Sequence, residues 1–556
     1  MKTFLLIFKI FFVKNFFFTN QELNKIKLSF FLFLILSILE LLSISMLVVI
    51  VLNTIGENNQ LINKYFSFLQ IYEKKNILIM FIFFISVKYL LQVFLHYYEK
   101  KILKNLQINY SIDLLKCYLY TSNNKTLELN HSIIINNLIS EVKNVFIGFF
   151  RPANEFFSEC FITCLILILL VFLAGYQFLF IFILAMFLIV IFVKIISKIA
   201  NKWGGRRILA GVELNSTLRG IFSNYFLIKL LNKENFFLKK ILPNYNVVTH
   251  AEFIEDLGQK LFRVFLEIFI FIFLLIFLLI LSFKNSELIV SQMITIFIPA
   301  MRMLPSLSKI NTCLNKMLYS FPAALNLQKT KKELLGNQIS SDQDQKKINF
   351  EKQIEINNLS FFYTKNQIIF ENKNFIFKKN LKYLIRGKSG SGKTTFIELL
   401  LGFKKPSTGS YKIDGVNYEP KLSGAWIKLF GYVPQEIFLL NENIKNNIAF
   451  GEKDDSIDVK KVNEILEIMN LKNTFSLNYE IQNFGSNISG GQKQRIGICR
   501  ALYFDPQILI LDEPTSQLSI EDSQKIMEDI LKLNKTVIVV SHDENIFSKF
   551  KNVINF

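Results

Sequence analysis

The sequence predicts a multi-domain chain in two parts: an all-α bundle of six membrane-crossing helices, then an α/β domain built around a phosphate-binding loop. Three observations carry that reading. Six apolar stretches stand near residues 28–52, 77–98, 156–174, 177–197, 261–283 and 288–309. Each offers about 20 residues, and ~20 residues at ~1.5 Å rise match a ~30 Å hydrocarbon core. Downstream, Gly387-Lys388-Ser389-Gly390-Ser391-Gly392-Lys393-Thr394 reads G-x-x-x-x-G-K-T. An apolar, β-prone run at Tyr383-Leu384-Ile385 precedes it and a helix start at Thr395-Phe396-Ile397 follows, the strand–loop–helix context that a phosphate cradle needs. Composition agrees: 51% hydrophobic residues and a mean hydropathy of +0.34 are too apolar for an ordinary soluble enzyme.

Along the chain, residues 1–18 are apolar but broken by Lys9 and Lys14, and they lack a small-residue cleavage site. They predict an interfacial elbow helix lying on the membrane, not a secretion signal. The first five spans carry the stronger apolar signal; Arg302 and Pro305 break into the end of the sixth. The loop after the second span carries Lys100, Lys101, Lys104, Lys116, Lys125 and Lys143, and the loop after the fourth carries Lys202, Arg206, Arg207, Arg219, Lys229, Lys233, Lys239 and Lys240. Cations collect on the cytoplasmic side of membrane proteins, so both loops and the phosphate-loop domain are expected in the cytoplasm. That topology accounts for the formal charge of +20, and no nucleic-acid partner is expected from it. The boundaries follow: a transmembrane domain over 1–328, a polar linker over 329–350 and the α/β domain over 351–556. Cys117, Cys160, Cys164, Cys313 and Cys499 are scattered and odd in number, predicting neither a disulfide framework nor a metal site.

Among the charges inside the spans, four places stand out: Glu40, Lys88, Arg263 with Glu267, and Arg302. A charged side chain in a bilayer is costly, which makes each a functional candidate. Snorkelling at a helix end, a structural ion pair or a coupling contact are the structural alternatives.

The phosphate loop has its own chemistry. Its glycines let backbone N–H groups turn inward on phosphate oxygens, and the following helix N-terminus adds partial positive charge. Lys393 would reach the β- and γ-phosphates, and Thr394, followed by Thr395, would hold a magnesium ion. About 120 residues later, Ile508-Leu509-Ile510-Leu511 reads as a strand buried on both faces, ending in Asp512-Glu513. Asp512 is placed to bind Mg2+, and Glu513 to polarise an attacking water as general base.

Between these two segments lies Ser489-Gly490-Gly491-Gln492, followed by Lys493-Gln494-Arg495. With that signature the chain resembles the ATP-binding cassette (ABC) transporters, specifically exporter-type half-transporters. The resemblance implies ATP and Mg2+ as cofactors and ATP hydrolysis coupled to transport. It implies an adenine-stacking aromatic at Tyr363, a magnesium-contacting glutamine at Gln435 in Tyr432-Val433-Pro434-Gln435, and a γ-phosphate-contacting histidine at His542. It implies a working pair of chains, a homodimer or a complex with a related half, each ATP lying between the phosphate loop of one chain and the signature of the other. Segments near 124–136 and 223–232 would be its coupling helices. Two departures stand out: Ser516-Gln517-Leu518-Ser519 lacks the family's crossing aspartate, and Gln482-Asn483-Phe484-Gly485 lacks the usual acid before the signature.

Leu39-Glu40, Lys88, Arg263-Val264-Phe265-Leu266-Glu267 and Arg302-Met303-Leu304-Pro305-Ser306 also resemble the PglK-type flippases of lipid-linked oligosaccharides. That resemblance implies that Lys88, Arg263 and Arg302 handle the pyrophosphate of a polyprenyl-linked glycan, moved across the cytoplasmic (inner) membrane among its lipids. Export of lipid, peptide or a drug-like compound, or a regulatory ATP-binding membrane protein, are the alternatives.

Overall fold

A computed structural model describes residues 17–55, 74–120, 131–174, 177–282, 289–336, 348–364, 367–388, 390–420, 424–516 and 518–556. Two compact units divide at Gln338/Ile339. The expected elbow helix falls outside the described residues up to residue 16, and so do residues 124–130 of the first expected coupling segment.

The first unit is helical. Its long helices are α1 (Asn20–Ile55), α2 (Lys74–Leu119), α3 (Arg151–Ala174), α4 (Gln177–Ser223), α5 (Glu234–Ser282) and α6 (Ile289–Leu335). Each overlaps one of the expected spans. A chain in lipid must satisfy its backbone polar groups within the segment, which selects helices for such apolar runs. Among the described residues, the stretches Asn20–Val51, Lys75–Leu119 and His131–Val171 are long and apolar enough to cross a membrane. α2, α4, α5 and α6 hold 46, 47, 49 and 47 residues; at ~1.5 Å per residue each is ~70 Å long, about twice a hydrocarbon core.

Before α3 the turns Asn137–Glu141 and Phe146–Phe150 are π-helical. They seat Phe146, Phe149 and Phe150 in an aromatic cluster, with Phe149 and Phe150 edge-to-face at 5.3 Å. Gly148 lies where a Cβ would stand 2.1 Å from Ser320 Oγ, so glycine is what lets α6 approach here.

Two expectations are corrected. Pro305 does not end the sixth helix, which carries Pro299, Pro305 and Pro322 within it; packing neighbours tolerate prolines in such helices. The linker does not begin at 329, because α6 runs on to Leu335. The polar residues read as linker include helix formers, and Lys329 pairs with Glu333 one turn on at 3.9 Å. In the second expected coupling segment a short helix, Tyr225–Leu230, stands between α4 and α5.

The second unit holds two sheets. β1 (Gln353–Thr364), β2 (Gln367–Lys378), β4 (Thr408–Ile413) and β5 (Val416–Tyr418) form an antiparallel sheet in the order β2-β1-β4-β5. β3 (Lys382–Arg386), β6 (Phe430–Val433), β7 (Ile508–Asp512), β8 (Thr536–Val540) and β9 (Asn552–Asn555) form a parallel sheet in the order β6-β7-β8-β3-β9. Every residue of β7 and β8 is buried, as the continuous apolar runs predict for strands covered on both faces. Helices α7 (Lys393–Leu400), α8 (Ile444–Ile448), α9 (Val459–Ile468), α10 (Gly490–Tyr503) and α11 (Ile520–Lys532) complete the unit. Open parallel sheets bind ligands at the carboxyl ends of their strands; here that edge carries the loops after β3, β6, β7 and β8.

Candidate functional site

β3 leads into the phosphate loop and α7 leads out. Gly390 and Gly392 take left-handed backbone angles, φ +82° and +96°, which glycine adopts without penalty. A Cβ at Gly392 would stand 2.5 Å from Ile369 Cγ2. Lys393 is the first residue of α7, and its Nζ donates to the carbonyls of Gly387 (2.8 Å) and Lys388 (3.1 Å), curling back over the loop. Among the described residues Ser391 Oγ is buried with no hydrogen-bond partner, and Thr394 and Thr395 share the first turn. Ser389 lies outside the described residues. A ring of glycines, a lysine at its mouth and an orphaned hydroxyl fit a nucleotide's phosphates.

Asp512 closes β7, and Glu513 follows with φ +47°, a strained angle for a residue with a Cβ. The Glu513 amide donates to the Val540 carbonyl at the end of β8 (2.8 Å), which pins that turn. Glu513 becomes a meeting point. Gln435 Nε2 donates to Glu513 Oε2 at 3.0 Å, and His542 Nδ1 shares a hydrogen bond with Glu513 Oε1 at 2.9 Å. Beside them, burial first and the Glu513 charge second push the Asp512 carboxyl above its ordinary range, partly offset by a hydrogen bond from Tyr432. Tyr432 Oη lies 3.4 Å from Asp512 Oδ2, and its phenol is pushed up by burial and by that carboxylate. The carboxylate edge suits a divalent cation, whose charge would relieve both acids.

Tyr363, on β1, is 43% exposed, leaving ring surface free for a planar ligand. Phe361 braces it edge-on at 5.1 Å, and its hydroxyl lies 3.3 Å from Thr395 Oγ1. Lys404, which sequence reasoning did not single out, donates to the Tyr363 hydroxyl at 2.5 Å, and its Nζ sits 4.4 Å from the ring centre. Glu398 of α7 holds the same ammonium at 2.8 Å. Burial works against the Lys404 charge, yet its bonds to Glu398 and Tyr363 outweigh it and raise its pKa.

The signature opens α10. Ser489 accepts from the Gln492 amide (3.2 Å), and the Gln492 side chain accepts from the Ser489 amide (2.8 Å), a reciprocal capping box. Gly490 and Gly491 lie between them. Farther along α10, Arg500 donates to the Asn447 and Phe438 carbonyls, each at 2.8 Å. That ties the signature helix to the chain that follows Gln435. Ser519 caps α11.

In the helical unit, Lys88 is 4% exposed and pairs with Glu40 at 2.9 Å. Arg302 Nε donates to the other Glu40 oxygen at 2.6 Å, and its Nη1 to Ser306 Oγ at 3.0 Å. One carboxylate thus joins α1, α2 and α6. Arg263 stays apart, exposed and paired along its own helix with Glu267 at 2.9 Å. The structure brings Lys88 and Arg302 together and leaves Arg263 out.

Residues 370–516 match the ABC transporter family. The chain is 32% identical over 193 residues to the lactococcin-A transport/processing ATP-binding protein LcnC of Lactococcus lactis subsp. lactis, covering 34% of this chain and 27% of that protein. It is 30% identical over 292 residues to the heterocyst differentiation ATP-binding protein HepA of Nostoc sp., covering 50% and 46%. The matched segments therefore span less than half of either relative's length. Among solved structures, a bacterial Atm1-family ABC exporter with ATP bound aligns with a TM-score of 0.76 at 16% identity, over 96% of this chain and 93% of that one. The fold is similar to that structure's: a helical unit with apolar helices, followed by an α/β domain that carries the ABC transporter match.

Proposed function

We propose that this chain is one half of an ATP-driven ABC exporter: six spans in the cytoplasmic (inner) membrane, an ATP-binding domain in the cytoplasm, two chains per working unit. The observation that carries the reading is the convergence of Gln435 and His542 on Glu513, beside Asp512, on the sheet edge that bears the phosphate loop. An ABC ATP-binding domain implies ATP hydrolysis coupled to transport.

In this reading Tyr363 stacks on adenine, and Lys393 with the loop amides offsets phosphate charge. Ser489, Gly490, Gly491 and Gln492 of the second chain close over the γ-phosphate. Thr394, Gln435 and Asp512 would hold Mg2+, which supplies charge neutralisation at the β- and γ-phosphates. Glu513 takes the proton of the attacking water; its fixed backbone and its bonds to Gln435 and His542 hold the carboxylate in one orientation. Gly491 supports the paired state. Among the described residues a Cβ there would meet nothing closer than Leu518 at 3.7 Å, so the glycine leaves room for close approach by a second chain.

For the cargo we retain an anionic amphiphile, with a polyprenyl-pyrophosphate oligosaccharide as the leading case. Lys88 and Arg302 against the single carboxylate of Glu40 leave one positive charge in excess in that cluster, and Arg and Lys give charge-assisted bonds to phosphate. The second reading is polypeptide export, favoured by the similarity to the lactococcin-A transporter. The test is translocation in proteoliposomes beside a Glu513→Gln control. Glycolipid flipping that vanishes in the control supports both motor and cargo. Hydrolysis without flipping keeps the motor and moves the cargo to polypeptides; absent hydrolysis sinks the exporter.

A further inference from the structure

Two ridges run side by side along α4 where it leaves the expected fourth span. Ile191, Ile195, Ile199 and Trp203 follow one another at four-residue steps, and so do Lys194, Lys198, Lys202 and Arg206. Each cation sits three residues after an apolar partner, which makes them neighbours on the helix surface. Ile191, Ile195 and Ile199 are 42%, 58% and 41% exposed. Lys194, Lys198, Lys202 and Arg206 are exposed too. The opposite face of α4 is closed: Ala200 is buried, and Gly204 sits where a Cβ would be 2.1 Å from the Tyr319 carbonyl of α6. Twelve residues at ~1.5 Å give each ridge a length of ~18 Å.

The upper end of the ridges is built. Arg206 lies over the Trp203 ring at 4.9 Å, and His250 of α5 meets the same indole edge-on at 4.5 Å. A cavity of about 570 Å³ opens there, lined by Trp203, Asn246, Val247, Thr249, His250 and Phe253. Among the described residues no carboxylate forms an ion pair with Lys198, Lys202 or Arg206, whereas the adjacent Arg207, on another face, pairs with Glu141 at 3.1 Å. Net positive charge is thus concentrated on one exposed strip.

We propose that this strip binds an anionic phospholipid of the cytoplasmic leaflet, its phosphate on Lys198, Lys202 and Arg206 and its acyl chain along Ile191, Ile195 and Ile199. The inference rests on the membrane topology proposed above. Positive charge alone would suit any anion; the parallel isoleucine ridge selects one with a tail. Basic segments near a membrane surface attract anionic lipid. Trp203 lies ~9 Å beyond residue 197 at ~1.5 Å per residue, at the headgroup level where tryptophans anchor.

The chain has two tryptophans. Trp426 is 3% exposed in the other unit, with its indole N–H on the Leu400 carbonyl at 3.0 Å, so quenching by brominated acyl chains reports Trp203. The experiment titrates the full-length protein in vesicles with brominated phosphatidylglycerol or brominated phosphatidylcholine. Half-quenching is expected at an at least threefold lower mole fraction of the anionic lipid. A Lys198→Gln/Lys202→Gln/Arg206→Gln variant should lose that preference. A Lys233→Gln/Lys239→Gln/Lys240→Gln variant, with the same charge change elsewhere, should keep it. ATP hydrolysis by the same preparations reports fold and motor separately, so failure of the lipid site is distinguishable from failure of the exporter reading. Equal quenching by both lipids overturns the proposal, as does loss of preference in the control variant or displacement by inorganic phosphate. Absence of quenching together with disulfide-linked pairs of an Ile199→Cys variant would also overturn it and assign the face to a second copy.

Discussion

Ser519 accepts a hydrogen bond from the Asp522 amide at 3.1 Å and donates one to the Asp522 carboxylate at 2.9 Å, so the residue standing where the ABC resemblance would place a crossing aspartate caps its own helix. An N-cap serine satisfies an amide that the helix leaves unpaired, and its loss costs about 1 kcal/mol. Ser519→Ala should lower stability by that amount in chemical unfolding. Ser519→Asp should keep it, because aspartate caps equally well. A full loss in the aspartate variant would show that the hydroxyl donor to Asp522, and not the cap, holds this turn.

Glu513→Gln should lower ATP hydrolysis by about 10²–10⁴-fold, the usual worth of a positioned base, while leaving ATP binding close to wild type. The amide retains the shape that Gln435 and His542 grip, so a filter-binding assay with labelled ATP separates chemistry from affinity. Near-normal turnover would remove Glu513 from the base role.

Much of this site was legible because its chemistry lies in contiguous chain. The loop at Gly387–Thr394 and the pair Asp512-Glu513 each sit where one strand ends, so local pattern locates them. Lys404 was not legible: it reaches Tyr363 from 41 positions away through a fold that pattern cannot give. The partnership of Arg302 with Glu40 spans 262 positions; sequence marked both as costly charges in spans and left open whether an ion pair explained them. The linker boundary was misread for a different reason, since polar residues at 329–335 suit an exposed helix as well as a coil.

Asp512 makes a pH prediction. Its folded-state pKa is raised above the ordinary value of an aspartate carboxyl, by burial and then by the Glu513 charge. Between the unfolded and folded values the native state holds more protons than the unfolded one, so this group's contribution to stability falls as pH rises through that window and stays low above it. Asp512→Asn should therefore raise the thermal midpoint of the magnesium-free protein at pH 7 and remove magnesium-dependent hydrolysis. An unchanged or lower midpoint would mean that the carboxylate is already compensated in the folded state.

The platform at Tyr363 can be divided experimentally. Aromatic–base stacking is worth roughly 1–3 kcal/mol, so Tyr363→Ala should weaken ATP binding by about tenfold or more. Lys404 touches the ring and its hydroxyl, and a cation–π contact adds roughly 0.5–1 kcal/mol at an exposed site. Lys404→Met should raise KM for ATP by a few-fold with kcat unchanged, and Lys404→Arg should recover part of it. A fall in kcat instead would place Lys404 in the chemistry and not in the platform.

Glu40 decides how the cations among the spans are held. Lys88 is almost wholly buried and Arg302 partly so, and both bond to this one carboxylate. Removing one partner of a buried pair leaves an uncompensated charge and costs about 3–5 kcal/mol. Glu40→Gln should therefore lower the thermal midpoint more than Arg263→Gln, whose exposed in-helix pair with Glu267 is worth under about 1 kcal/mol. Lys88→Met in the Glu40→Gln background should restore much of the loss, since one buried charge is then removed with its counter-ion. If the double variant is no more stable than Glu40→Gln alone, the bond to Arg302 dominates, and the excess charge assigned to cargo binding sits on Lys88.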